Sequence, residues 1–290
     1  MEEKNSASEL RPEAEASGPR RPFPTIGDLL AMLGIVLGMQ LVVGTVFLVV
    51  GLFLDVPLSG MAPRQRGAFL ALSYVVSMLP AWLLVLCYRR ARGGKGSIGH
   101  FSRKGLNPVL LAWAFVFMLA VSVVCEPLFA LLPAPATPDL GRGIWTLLSV
   151  VVAAPVLEEL LCRGVVLEAV RSRYGTVSAW LLSSLFFGVL HVDATLVLNA
   201  FVIGLILGYI YIVTESLWAS MVLHALNNAV AYALLATGWS DTLLAEAVGS
   251  RTLYVVLYIG ALVVTAVSAR MVWRTLRRPA TGAEKEPGAQ

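Results

Sequence analysis

Residues 144–170 read IWTLLSVVVAAPVLEELLCRGVVLEAV. The stretch is long and apolar enough to cross a bilayer, which takes about 20 such residues. Yet it holds Glu158, Glu159 and Arg163 near its middle. Each charge at a helix centre costs about 2.5–3.5 kcal/mol on insertion scales, so charges there point to function. Glu159 and Arg163 stand four apart with the acid first, the spacing of the favoured helical ion pair. Glu158 is turned 100° away from Glu159 and has no partner on its own helix. Desolvation without a partner disfavours its charged form, which suits a general base or acid. Pro155 lacks an N–H and is expected to kink the helix just ahead of the pair, opening a cavity to water.

The rest of the chain agrees with a bilayer. Of 290 residues 58% are apolar and only 14% charged, with a mean hydropathy of +0.78; soluble domains carry roughly 25% charged residues. An ordinary cytosolic enzyme, a disordered protein and a nucleic-acid-binding module are excluded, and no nucleic-acid partner is expected. The predicted fold class is all-α, a polytopic membrane helix bundle of eight spans at 26–54, 67–88, 107–132, 144–170, 175–191, 194–213, 217–236 and 252–273. The first span is longer than a signal peptide's apolar region and should persist in the mature protein. The domain reading places a disordered tail at 1–25 and three helices with a basic loop at 26–143. A catalytic core follows at 144–236, then a loop and last helix at 237–273 and a basic tail at 274–290. Sixteen Lys and Arg fall on one side of this arrangement and four (Arg64, Arg66, Arg142, Arg251) on the other. Both termini are therefore expected in the cytoplasm, with the protein in the cell (inner) membrane.

Of three histidines, His100 lies in a basic loop and reads as solvated, while His191 and His224 lie in apolar surroundings. Glu158 stands 16 residues before Tyr174 and His191 stands 16 after Gly175. With a turn at Tyr174–Gly175 the two reach the same depth, where they could hold and deprotonate a water. His224 and Asn228, four apart, share a helix face and offer donors suited to an oxyanion. Glu126, beside Pro127, is expected either to line the same cavity or to cap a helix break. Phe201, Gly204 and Gly208 form a packing face. Cys87, Cys125 and Cys162 have no paired spacing and read as buried small hydrophobes. No HExxH helix or G-x-S-x-G elbow occurs.

Taken in order, Glu158-Glu159-xxx-Arg163, Phe187-xxx-His191, Phe201-xx-Gly204-Leu205-xx-Gly208 and His224-xxx-Asn228 resemble the CPBP family of intramembrane proteases. That family is named for CAAX prenyl proteases and bacteriocin-processing enzymes. The resemblance covers roughly residues 144–236. It implies an eight-helix intramembrane endopeptidase acting on a peptide or lipidated-protein substrate in contact with membrane lipid. It implies Glu158 as the base that activates water, His191 as a second holder of that water, and His224 with Asn228 as oxyanion donors. Glu159 and Arg163 would be supporting residues.

The family has been described both as metalloproteases and as glutamate-type enzymes. Either no cofactor is expected, or zinc held by Glu158, His191 and His224; three separate helices without a partner for each histidine favour the metal-free form. The rival readings are a non-catalytic scaffold or immunity-type membrane protein, which would tolerate Glu158→Gln, and a proton-coupled transporter. A transporter would place broken helices in matching halves, whereas the polar groups here gather in spans four to seven.

Overall fold

The computed structural model describes residues 22–54, 60–132, 143–240 and 242–277. The terminal tails expected at 1–25 and 274–290 thus fall largely outside the described residues, as does Arg142. The described residues are helical, with a single bridge between Phe101 and Ser216 as the only extended pairing. The helices are α1 (Ile26–Phe53), α2 (Pro63–Ala91), α3 (Pro108–Phe129), α4 (Ile144–Leu148), α5 (Ala154–Glu159), α6 (Glu168–Val189), α7 (Ala194–Thr214), α8 (Leu217–Thr237), α9 (Leu244–Val248) and α10 (Arg251–Arg277). Six of them, α1, α2, α3, α7, α8 and α10, are long and apolar enough to cross a membrane.

Several expected spans are shorter than the observed helices. The span expected at 67–88 runs from Pro63 to Ala91, and that at 252–273 from Arg251 to Arg277. Hydropathy falls at the first arginines, but the helical hydrogen-bond ladder continues through them and carries their charges clear of the apolar layer. Residue 175 decides how the fourth and fifth spans are joined. The backbone is helical from 144 to 174 without a break, because α4, α5 and the first arm of α6 are linked through two π-helical segments, Ser149–Ala153 and Leu160–Leu167. At Gly175 φ is +82° and ψ is 175°, a conformation that only glycine adopts without strain. There α6 folds back. Arg163, twelve residues before the glycine, then meets Phe187, twelve after it, with the guanidinium carbon 4.9 Å from the ring centroid. The turn expected at Tyr174–Gly175 is the one observed.

The basic ends of the helices converge. Asp28 is buried, accepting from Tyr88 Oη at 2.7 Å and Arg92 Nε at 2.8 Å, which ties the start of α1 to the end of α2. Arg173 donates to the carbonyls of Pro22 and Pro24. The loop after α2 lies against the α7–α8 turn, with Leu217 N donating to His100 O and Ser102 N to Glu215 O. Glu168 closes this layer. It accepts from Tyr211 Oη at 2.7 Å and lies 3.7 Å from Arg171, which also approaches Glu215 at 3.7 Å. His100 is partly exposed beside it, its Nε2 4.0 Å from Glu168.

At the other end Tyr232 on α8 bonds to both backbone groups of Gly143, and Tyr258 on α10 donates to Val124 O on α3. Helices α3 and α10 are therefore antiparallel, which brings Arg274 and Arg277 to the same end as Arg103 and Lys104. Among the cysteines Cys162 is buried, Cys125 is half-buried, and Cys87 corrects the expectation by facing outward.

Candidate active site

The second acid is the more deeply buried one. Glu159 is fully buried and accepts from Arg163 Nη1 at 2.7 Å, the expected i,i+4 pair. Arg163, also fully buried, uses its other terminal nitrogen to donate to Gly204 O at 2.8 Å. That contact needs α7 close to α6. Glycine at 204 allows the approach, since a Cβ there would lie 3.2 Å from the Phe187 ring and 3.3 Å from Ser184 Cα. Gly208 plays the same part beneath Trp180, where a Cβ would meet the indole at 3.0 Å. The glycine motif is thus a packing face, and it also exposes a carbonyl to the arginine.

His224 links the two acids. Its Nδ1 lies 3.1 Å from Glu159 Oε1 and its Nε2 lies 3.7 Å from Glu158 Oε2. A carboxylate can only accept, so Nδ1 carries a proton and the other ring nitrogen faces Glu158. Glu158 does not lack a partner, as the sequence alone suggested: Tyr74 on α2 donates to its Oε1 at 2.8 Å. The missed residue lies 84 positions away in an otherwise apolar run, and no spacing rule pointed to it. Glu158 retains some access, with 13% of its side chain exposed against none for Glu159.

His191 sits elsewhere in the cluster. Its Nδ1 donates to Phe187 O at 3.0 Å, which leaves Nε2 as the lone-pair end of the ring. It makes no hydrogen bond or ion pair with Glu158. The Phe187 ring stands between the two histidines, edge-on to both, with centroids 5.1 Å from His191 and 5.3 Å from His224. Reflection through the turn assumed helix all the way to residue 191, but α6 ends at Val189. His191 lies in the turn that follows, next to Val192 at φ +63°. A β-branched residue in that region costs on the order of 1–3 kcal/mol, so the turn that aims His191 is held by its surroundings. Asp193 caps the next helix by accepting from Thr195 N and Leu196 N.

Asn228 donates from Nδ2 to Val150 O at 2.9 Å. The bond has a local cause. In the π register of Ser149–Ala153 the donor for Val150 O would be residue 155, a proline with no N–H. Asn228 fills that vacancy and keeps one further amide hydrogen. Pro155 therefore produces a π-helical widening in place of the expected open kink.

Glu126 belongs to neither the cluster nor its surroundings. One of its oxygens accepts from Leu244 N at the start of α9, so of the two expectations the cap is the observed one. Among the described residues no group of three or more His, Cys, Asp or Glu is placed to hold a metal ion.

Residues 140–230 match the family model described as type II CAAX prenyl endopeptidase Rce1-like. That segment of the chain is similar to Rce1-like CAAX endopeptidases. The Rce1-like segment spans every residue of the cluster except Tyr74, which reaches it from α2. With its six long apolar helices, the chain is an integral membrane protein, and its residues 140–230 are similar to the type II CAAX prenyl endopeptidases. Comparisons with curated proteins and with solved structures give no match.

Proposed function

We propose that this Rce1-like protein is a glutamate-type intramembrane endopeptidase that hydrolyses a peptide bond of a membrane-associated, CAAX-type substrate. The observation that carries the reading is the unequal pair of acids. One is sealed in an ion pair; the other keeps access and faces an imidazole. Glu158 takes a proton from a water and later returns it to the leaving amine, while the oxygen of that water attacks the carbonyl carbon. Tyr74 holds one oxygen of Glu158 and so fixes the direction of the other. His191 offers Nε2 as an acceptor to the same water. The free amide hydrogen of Asn228, and His224 when its Nε2 also carries a proton, donate to the carbonyl oxygen as charge develops on it. Glu159 fixes the ring of His224 through Nδ1 and Arg163 fixes Glu159, so these two position the catalytic groups.

The surroundings support a substrate with an apolar chain. A groove of about 430 Å³ between α2 and the start of the helical stretch 144–174 is lined by Ala71, Val75, Ser149 and Ala153. It begins about one helical turn from Tyr74 and Glu158, so a lipid chain lying in it would bring the attached peptide toward the two. Both chain termini are proposed to face the cytoplasm, because most described Lys and Arg residues lie at the end where α2, α10 and the Gly175 turn meet.

The test uses purified protein in liposomes with peptides ending in a prenylated CAAX sequence and with unprenylated counterparts. Wild type should cleave the prenylated set, and Glu158→Gln should lose at least about a thousandfold in kcat, the scale of removing a catalytic proton carrier. Retained cleavage by a well-folded Glu158→Gln protein would overturn the assignment of Glu158. Absence of cleavage of any peptide, together with full function of Glu158→Gln in a deletion strain, would favour the scaffold reading.

A further inference from the structure

A second apolar cavity, of about 360 Å³, lies between α3, α6, α7 and α10 and shares no residue with the candidate active site. Its walls include Ala114, Phe117, Trp180, Tyr209, Val272 and Trp273. The volume is more than twice that of the ~150 Å³ apolar cavity that takes up benzene. The one polar atom of Trp180 is already satisfied, since Nε1 donates to Leu205 O at 2.7 Å. The indole therefore offers the cavity only its apolar body.

The depth of the cavity is set by sequence position. Trp180 is five residues past the Gly175 turn, Tyr209 five before the end of α7, Trp273 four before the end of α10, and Ala114 six into α3. All four lie in the half of the bundle nearest its basic end. Above them stand Arg103 and Lys104, just ahead of α3, and Arg274 and Arg277 on the last turn of α10. The guanidinium of Arg277 lies over the Trp273 ring at 3.9 Å, which ties a cation to the cavity wall. The acids at this end are already engaged, Asp28 by Arg92 and both Glu168 and Glu215 by Arg171.

We propose that this cavity binds one anionic phospholipid from the adjoining leaflet, with an acyl chain between α3, α7 and α10 and the phosphate on Arg277 and Arg274. The aromatic lining and the basic rim match the two halves of such a molecule. A guanidinium stacked on an indole still presents its N–H edge to phosphate oxygens. The lipid would act as a wedge that seats α10 against the Rce1-like domain.

Native mass spectrometry tests this on the full chain released from vesicles of equal phosphatidylcholine and phosphatidylglycerol. Wild type should retain one lipid, with phosphatidylglycerol favoured over phosphatidylcholine by about fivefold or more. Arg277→Glu should bring that ratio close to one. Ile206→Trp, which fills the cavity, should remove the lipid whatever its headgroup, and Ala269→Trp does the same from α10 if the first variant folds poorly. Equal retention of both lipids by wild type, retention by both filled variants, or a lipid-free dimer would each overturn the proposal.

Discussion

Replacing Glu159 by Gln separates the roles of the two adjacent acids. Glu159 is fully buried and accepts from Arg163 at 2.7 Å and His224 at 3.1 Å. Gln keeps the volume and one acceptor but removes the charge, leaving the buried Arg163 guanidinium without its counter-ion. Breaking a buried pair by removing one partner costs about 3–5 kcal/mol. At roughly 2–4 °C per kcal/mol for a chain of this order, the Tm should fall by about 6–20 °C. Glu158→Gln is the internal control. Its position keeps some exposure and its donor, Tyr74, can serve an amide oxygen equally, so the change should stay within about 1 kcal/mol. Thermal unfolding in detergent, followed by tryptophan fluorescence, reads both. The double variant Glu159→Gln/Arg163→Met removes both charges and should lose less than the sum of the single changes, by about 0.5–3 kcal/mol. Equal Tm values for the two Gln variants, or strict additivity in the double variant, would refute the assignment of Glu159 as the structural acid.

Three further outcomes are expected. Tyr74→Phe removes a hydrogen bond to a carboxylate worth about 1.5–3 kcal/mol, so kcat should fall about 10- to 150-fold with KM little changed; steady-state kinetics on a prenylated peptide checks this. Gly188→Ala places a Cβ 2.8 Å from the backbone oxygen of Val197. Forcing α6 and α7 apart there should cost about 1–3 kcal/mol, seen as a lower Tm. Because the acids and histidines do not assemble into a metal donor set, prolonged treatment with a strong chelator should leave activity unchanged; loss on chelation with recovery on adding zinc would show that they rearrange around a metal.

Much of the cluster was legible because its key relations are local. Glu159 with Arg163 and His224 with Asn228 are i,i+4 relations, which helical geometry sets whatever the surrounding fold. The scarcity of charge made the acids conspicuous, and Gly175 marked the turn. Legibility failed where a contact depended on packing or on where a helix stops. Helix α6 ends two residues short of His191, whose Nδ1 turns to Phe187 O. Pro155 was read as a kink, whereas a π segment and the amide of Asn228 absorb its missing donor.

The sequence by itself determined that this chain belongs in a bilayer, which residues are too polar for one, and which pairs share a helix face, because hydropathy and the 3.6-residue period act over short range. Only the tertiary structure decided that Glu158 is held by Tyr74 and that His224 spans both acids. It also decided that Arg163 is answered by a carbonyl at Gly204. Those contacts join residues 41 to 84 positions apart, and only the way the helices pack sets distances over such separations.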